Sequence, residues 1–168
     1  MRASSNSPSW LTVTLILLGF AGCQPARQET QVTPAPTPTS VPSPPPDEAA
    51  AAADTVRSYY RAIGERRYRD AYQLWARDGS ASGKSFEEFR SGFSETESVE
   101  VSVGTPGPME GAAGSRYIDV PVRVSARLRS GMAQEFSGTY TMRRSVVDGA
   151  TPAQLAWHIE SAKLRQEK

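Results

Sequence analysis

The side chain with the most distinctive chemistry in this sequence is the thiol of Cys23. It is the single cysteine among 168 residues, so the sequence offers neither an internal disulfide nor a metal site built from thiols. It follows Ala21 and Gly22, two small residues at the end of an apolar run from Trp10 to Phe20. A thiol with small neighbours, in a stretch where no core would bury it, is available for alkylation.

Residues 1–22 have the three-part organisation of an export signal. Arg2 supplies a positive charge, the run from Trp10 to Phe20 supplies an apolar core, and Ala21 and Gly22 are the small residues before a cleavage point. A membrane-spanning helix needs about 20 apolar residues, and this core is about half that length. We therefore predict that residues 1–22 are a signal peptide that is removed.

The run Phe20-Ala21-Gly22-Cys23 resembles the bacterial lipobox. The resemblance implies diacylglycerol on the Cys23 sulfur, cleavage before Cys23, and acylation of the new amino terminus. Two or more acyl chains hold a protein stably on a bilayer, since each buried methylene contributes about 0.8 kcal/mol. We expect a lipid-anchored protein of the bacterial cell envelope, and Gln24 implies the periplasmic face of the outer membrane if the source is a diderm.

Residues 23–47, which begin with the lipidated Cys23, are predicted to be a disordered tether. Eight of the 13 prolines lie here, and the segment lacks an apolar periodicity that could form a core. Polyproline II rises about 3.1 Å per residue, so the tether could hold a domain up to about 70 Å from the bilayer. A proline-rich recognition ligand is the alternative interpretation of the same composition.

The charge balance argues against a nucleic-acid partner. The chain has 19 basic and 18 acidic side chains, and removal of residues 1–22 removes Arg2 alone, which leaves equal numbers. The sequence also contains no HExxH motif, glycine-rich phosphate loop, serine elbow or metal-spaced cluster. We therefore expect no cofactor and no metal.

The first half of the remaining chain has helical periodicity. A first helix is predicted from Glu48, capped by Asp47 and ending near Gly64. A second carries an apolar stripe from Tyr68 to Trp75, and the break Asp78-Gly79-Ser80 follows it. Ser85 and Glu88 form a capping box for a third helix, whose apolar positions are Phe86, Phe89 and Phe93.

The second half has the period of two that is typical of strands. The first strand carries Val99, Val101 and Val103, and a Gly/Pro-rich loop is predicted from Gly104 to Gly114. A long strand then runs to Leu128, with Pro121 on its polar face predicting a bulge or an exposed edge. A third strand follows the turn Ser130-Gly131, and the last strand is predicted to place Leu155, Trp157 and Ile159 inward.

Helices followed by an antiparallel meander predict an α+β fold, with N-terminal helices packed on one face of a four-stranded sheet. The runs Tyr59–Ile63, Tyr68–Trp75 and Ser85–Phe89 resemble those of the NTF2-like superfamily, which has a cystatin-like cone. The resemblance covers most of residues 48–168. It implies a cavity between helices and sheet, which binds ligands in some members and is an active site in others.

Two sets of side chains could act in such a cavity. Strand alternation directs Asp119, Arg123, Glu135 and His158 to the polar face of the sheet, so we predict no catalytic residue. The aromatic residues either line a ligand pocket or fill a core, and buried tyrosine hydroxyls would need partners. The candidate pocket residues are Tyr60, Tyr72, Trp75, Phe89, Phe93, Phe136, Tyr140 and Trp157.

Three functional hypotheses remain open at this point. The first is a membrane-tethered, non-catalytic domain that binds an envelope protein or a small hydrophobic ligand. The second is an enzyme of the ketosteroid-isomerase or polyketide-cyclase type in the same cavity. The third is a structural module, with a possible homodimer through the polar face of the sheet. Arginines on the first two helices are interpreted as a solvated face: Arg57, Arg61, Arg66, Arg67 and Arg69.

Overall fold

The structure, a computed structural model, describes residues 46–168; the predicted signal peptide and all but the last two residues of the predicted tether lie outside this range. The helices are α1 (Pro46–Gly64), α2 (Tyr68–Gln73), α3 (Phe86–Ser91) and α4 (Pro152–Leu155), with a short 3-10 turn at Ser80–Ser82. The strands are β1 (Thr96–Val103), β2 (Met109–Ala112), β3 (Ser115–Leu128), β4 (Ala133–Ser145) and β5 (His158–Gln166). None of the helices in this range is both long and apolar enough to cross a membrane.

The strands form one antiparallel sheet in the order β1-β3-β4-β5, with β2 also paired to β3. The long strand β3 therefore lies at the centre, and helices cover the face on which Ile118, Val120, Val122 and Val124 are buried. The predicted α+β fold class is confirmed. The prediction of four strands is wrong, because the described sheet has five.

The additional strand, β2, lies inside the segment predicted to be a loop. It pairs with the start of β3 through the two-residue turn Ala113-Gly114, where both residues have positive φ (45° and 73°). Positive φ at both central residues is the geometry of a type I′ hairpin. The sequence did not reveal this strand because Met109 is its only large apolar residue and its remaining positions are exposed or nearly so.

Helix α1 confirms the first helical prediction with one correction at its start. It begins at Pro46, so Asp47 lies in the first turn and is not the cap. Proline fits a first turn because the N–H groups there have no partner within the helix. The acidic Asp47 and Glu48 are favourable there, since the helix dipole is positive at this end. The predicted apolar positions Val56, Tyr59, Tyr60 and Ile63 are all buried.

Helix α2 is shorter than predicted, because it ends at Gln73 and leaves Trp75 beyond it. The backbone there pairs with β5: the N–H of Ile159 donates to Leu74 O at 2.8 Å, and the N–H of Ala76 donates to Ile159 O at 2.8 Å. This tertiary pairing competes with continuation of the helix. Positive φ values at Arg77, Asp78 and Gly79 then confirm the predicted break.

Helix α3 begins with the predicted capping box. The N–H of Glu88 donates to Ser85 Oγ at 3.3 Å, and the N–H of Ser85 donates to Glu88 Oε2 at 2.8 Å. The helix ends at Ser91, so Phe93 lies in the following turn. Its ring still packs against the helix, with its centroid 5.2 Å from that of Phe89.

The prediction for the last strand is wrong in its first half. Leu155 ends the short helix α4 and is 42% exposed, and Trp157 is buried but precedes β5. The capping box of Thr151 and Gln154, with Pro152 at the helix start, specifies this helical turn locally. Only Ile159 has the predicted inward position within the strand, and β5 continues to Gln166, beyond the predicted segment.

Pro121 lies where the neighbour of β3 changes from β1 to β2. Gly104 N–H donates to Pro121 O at 2.9 Å, and Gly107 N–H donates to Asp119 O at 2.8 Å. The segment that connects β1 to β2 therefore runs alongside β3 at Pro121. The nitrogen of Pro121 faces the same side as its carbonyl and lacks a proton. The predicted bulge is wrong, because the pairing registers show none there; instead this side of β3 lies in the gap between the pairings with β1 and β2.

Candidate functional site: a cleft between α1 and the sheet

An open cleft of about 240 Å³ lies where the carboxyl end of α1 meets the end of β3 and the start of β4. Its wall is formed by aromatic and aliphatic side chains together with Gly92, Thr96 and Gln134. We call it the ligand cleft. The apolar and aromatic lining residues are Tyr59, Tyr60, Phe93, Val99, Val124, Ala126, Phe136, Tyr140 and Leu164.

Four of the eight aromatic candidates line this cleft, and three different elements of the chain position them. The helical spacing of α1 buries Tyr60, and the alternation of β4 turns Phe136 and Tyr140 to the helix-covered face. Phe93 lies in the turn that follows α3. Tyr59, Val99, Val124, Ala126 and Leu164 belong to the predicted core faces or to unassigned chain, and the sequence did not single them out as pocket residues.

The other four candidates lie outside the cleft lining. Tyr72 packs against Phe86 and Phe89, and its hydroxyl donates to Lys84 O at 2.8 Å. Trp75 packs edge-on against two residues of the cleft wall, Tyr59 and Tyr140, with ring centroids 6.1 and 6.3 Å away. Trp157 belongs to the same buried core, and the guanidinium of Arg144 lies over its ring, 5.5 Å from the centroid. The aromatic set therefore divides between a packed core and an open cleft.

The most distinctive polar feature of the cleft is a pair of tyrosines. The hydroxyl oxygens of Tyr60 and Tyr140 lie 2.6 Å apart, and either hydroxyl can be the donor. Both residues are buried, with 6% and 2% of their surface exposed. The partner of each hydroxyl is thus the other tyrosine, which satisfies one donor and one acceptor in an apolar environment.

Burial governs the ionisation of these tyrosines. It raises the pKa of Tyr60 to about 12, although the hydrogen bond to Tyr140 acts in the opposite direction. Burial also raises the pKa of Tyr140 well above its ordinary value, and the nearby Tyr60 adds to the shift. The pKa of Tyr59 is raised by burial and by the neighbouring Tyr60, and the nearby indole of Trp75 acts in the opposite direction. The hydroxyls are therefore neutral donors and acceptors at physiological pH.

The ionisable residues predicted to be outside the cavity lie on the polar face of the sheet. Thr141 Oγ1 donates to Asp119 at 2.7 Å, and Ser125 Oγ donates to Glu135 at 2.8 Å. His158 pairs with Arg143 across β4 and β5, and its Nδ1 lies 3.1 Å from Ala156 O. The five arginines predicted on the first two helices are exposed as expected, but Arg66 and Arg67 lie in the connection between α1 and α2, where Arg67 is bound to both Glu65 and Asp70.

One inward-facing charged cluster was missed by the sequence analysis. Arg116 and Arg144 are partners across β3 and β4 and share the buried face of the sheet. Glu48 Oε1 accepts from Arg116 at 3.0 Å and from Arg144 at 2.9 Å, which ties the first turn of α1 to both strands. Extending the alternation of β3 two residues before Ile118 would have placed Arg116 on this face.

A second cleft, of about 290 Å³, lies at the end of the domain where this cluster is found. We call it the basic cleft, because three of its nine lining residues are arginines and one is an aspartate. The residues that line it are Ala76, Arg77, Asp78, Arg143, Arg144, Ser145, Ala153, Gln154 and His158.

Comparison with known proteins identifies the fold. No family model matches the sequence, and no curated protein matches it. Among solved structures, a candidate scytalone dehydratase from Novosphingobium aromaticivorans is 10% identical with a TM-score of 0.52, over 73% of this chain and 85% of the other. The Kfla4162 protein of Kribbella flavida is 15% identical with a TM-score of 0.51, over 72% and 94%. These similarities show that residues 46–168 share the α+β fold of the two proteins, with helices packed on one face of an antiparallel sheet, as the resemblance to the NTF2-like cone predicted.

Proposed function

We propose that this chain is a lipid-anchored protein of the bacterial cell envelope whose NTF2-like domain binds a small hydrophobic ligand in the ligand cleft. The observation that carries the proposal is an open apolar cleft with a buried hydroxyl pair in its wall. Apolar pockets with a few fixed polar groups are the usual form of small-molecule sites. The membrane location follows from the resemblance of Phe20–Cys23 to a lipobox.

The hydroxyl pair supports binding of a ligand that carries a hydrogen-bond acceptor. Two hydroxyls have two protons, and the bond between Tyr60 and Tyr140 uses one of them. The second proton is free to be donated to an oxygen or nitrogen atom of a ligand. The raised pKa values keep both hydroxyls protonated, so this donor is present throughout the physiological range.

An enzyme of the isomerase or cyclase type is the second candidate, and the same hydroxyl pair is the observation that favours it. A neutral tyrosine in an apolar site can stabilise developing negative charge on an oxygen atom. The two candidates differ in outcome, because a binding protein returns its ligand unchanged and an enzyme does not.

A cleft-filling substitution tests the proposal. The neutral fluorescent probe N-phenyl-1-naphthylamine should bind the chain, and Ala126→Phe should weaken this binding at least about tenfold, since a ring at that position occupies the cleft. Ala133→Phe, at an exposed position on β4, is the matched control and should leave affinity unchanged. Absence of probe binding, or an equal loss in both variants, would contradict the proposal.

The natural ligand is then accessible through the same pair of variants. The unmodified chain, but not Ala126→Phe, should retain a compound from envelope extract that mass spectrometry identifies. Recovery of that compound unchanged after prolonged incubation supports binding. Its conversion to a product, lost in Tyr60→Phe with Tyr140→Phe, would favour the enzyme.

A further inference from the structure

The chain enters the domain at the end that is remote from the ligand cleft. Glu48, in the first turn of α1, is held by Arg116 at the start of β3 and Arg144 near the end of β4. The ligand cleft instead contacts Val124 and Ala126, eight or more residues further along β3. A strand rises about 3.3 Å per residue, so the two ends are roughly 26–33 Å apart along β3. We call the end around Glu48 the tether end, because residues 23–45 lead into it.

Exposed hydrophobic side chains are concentrated at the tether end. Residues 46–168 contain four large hydrophobic residues that are clearly exposed, and three belong to the connection between β4 and β5: Val146 (41%), Val147 (50%) and Leu155 (42%). The connection leaves the sheet beside the turn before β3, since Val146 N–H donates to Gly114 O at 2.9 Å. The fourth, Met132, lies in the turn between β3 and β4, at the opposite end.

The basic cleft lies next to these hydrophobic residues. Ala153 and Gln154 of α4, in the same connection, form part of its wall, and Ser145, Arg143 and Arg144 form another part. Arg143 is held by two neutral hydroxyls: its Nη2 donates to Ser115 Oγ at 2.9 Å and its Nε donates to Tyr117 at 3.2 Å. Its charge is thus positioned without a carboxylate at these contacts.

The other charges around the basic cleft are partly balanced. Arg144 pairs with Glu48, and Arg77 pairs with Glu160 at 2.6 Å. Asp78 also lines the cleft, and Asp148 is exposed in the adjoining connection. A moderately basic cleft beside exposed aliphatic side chains matches a surface that has phosphate groups above a hydrocarbon layer.

We propose that the tether end is a docking face for an anionic phospholipid bilayer. Val146, Val147 and Leu155 enter the headgroup region, and the basic cleft takes a lipid phosphate. The contact is weak by itself and acts because the tether already holds the chain at the surface. It turns the ligand cleft away from the bilayer, toward the periplasm. The biological setting rests on the proposed lipid anchor, but the docking face can be tested without the anchor.

The experiment uses the chain from residue 23 with Cys23→Ser, so that no acyl group contributes. This chain should co-sediment with phosphatidylethanolamine vesicles that contain phosphatidylglycerol, and less with phosphatidylcholine alone. Val147→Ser combined with Leu155→Ser should reduce vesicle binding at least about fivefold. Met132→Ser, which removes a comparable exposed side chain at the opposite end, should have no effect.

The contribution of charge to vesicle binding is tested with a matched pair of arginine variants. Arg143→Gln should weaken binding to anionic vesicles about fivefold, the effect of one basic residue near a charged membrane. Arg123→Gln removes the same charge from the exposed face of β3 and should change binding little. Thermal melts of both variants check that the fold is intact.

The orientation of the domain on the vesicle surface is measured with a fluorescent dye attached at one end or the other. Since Cys23→Ser leaves no cysteine, an environment-sensitive dye can be placed at Leu155→Cys or at Met132→Cys. Vesicles should shift the emission of the first to the blue and leave the second unchanged. No vesicle binding at low salt, equal losses in the Met132→Ser control, or complete displacement by inorganic phosphate would overturn the proposal. Failure of lipid attachment at Cys23 would leave these results unaffected and would count only against the anchor.

Discussion

At the scale of single residues, the ligand cleft depends on tyrosines kept neutral by burial. Tyr59, Tyr60 and Tyr140 meet edge-on, with ring centroids 5.0–6.0 Å apart. An edge-to-face arrangement is favourable because the positive edge of one ring meets the negative face of the next. The same burial penalises a phenolate, so these residues couple the stability of the domain to alkaline pH.

This coupling predicts alkaline destabilisation in a defined window. The pKa of Tyr60 is about 12 in the folded chain and about 10 in the unfolded chain. The unfolded chain therefore loses this proton first, and the free energy of unfolding should fall as the pH rises from about 10 to about 12. Below about pH 10 the contribution is fully present. Denaturant melts across this range measure the slope.

The control for this prediction is Tyr60→Phe, which removes one titrating group while Tyr59 and Tyr140 keep raised pKa values. The slope of unfolding free energy against pH should become shallower by up to about 1.4 kcal/mol per pH unit for one proton. An identical slope in both chains would show that Tyr60 titrates normally.

At the scale of elements, the packing of β5 against β4 shapes one wall of the cleft. The register shifts by one residue, so that Glu160 is the extra residue between Ile159 and Ser161. Beyond this shift Leu164 lies opposite Gly138 and reaches the ligand cleft. A side chain at Gly138 would collide with the backbone at Lys163 O and Leu164 Cα, so this close approach requires glycine.

Gly138→Ala should therefore destabilise the domain by about 1–3 kcal/mol, since the strands must separate to admit a methyl group. Gly111→Ala is the matched control, because a methyl group on β2 would contact nothing within 4 Å. Its effect should be within about 0.5 kcal/mol, as for an ordinary surface change. Urea melts of both variants make the comparison, and similar stabilities would show that β5 can shift freely.

At the scale of the whole molecule, the tether end and the ligand cleft lie at opposite ends of one domain. The tether end lies at the start of β3, where Glu48 binds Arg116. The ligand cleft lies near the end of β3, where Val124 and Ala126 line it. A bilayer docked at the tether end, as proposed, would therefore leave the cleft accessible. The separation also means that the ligand and docking proposals can fail independently.

The anchor itself is tested in the native host. The unmodified chain should incorporate a fatty-acid analogue and fractionate with membranes, because Cys23 supplies the thiol that the lipobox resemblance requires. Cys23→Ser should remain unlabelled and accumulate as an uncleaved or mislocalised precursor. An unlabelled wild-type chain would remove the basis for membrane attachment through Cys23.

Much of the fold was predictable because it is encoded locally. The spacing of α1, the alternation of β3 and β4, and the Ser85–Glu88 capping box each depend on residues close in sequence. Such patterns report which face of an element is apolar. They do not report which other element covers that face, and this limit explains the error at Trp75. The error at Leu155 has a local cause, because the strand prediction overlooked the capping box of Thr151 and Gln154.

The sequence by itself determined the order of the main elements, the α+β class and the candidate lipid site. Only the tertiary structure decided which aromatic residues line a cleft, because that depends on where α1, β4 and β5 leave space between them. It also decided that β2 pairs with β3, that Trp75 leaves its helix to pair with β5, and that Glu48 meets two inward arginines. Apart from the β2–β3 hairpin, which joins neighbouring segments, these outcomes are contacts between residues distant in sequence, whose energy no local periodicity contains.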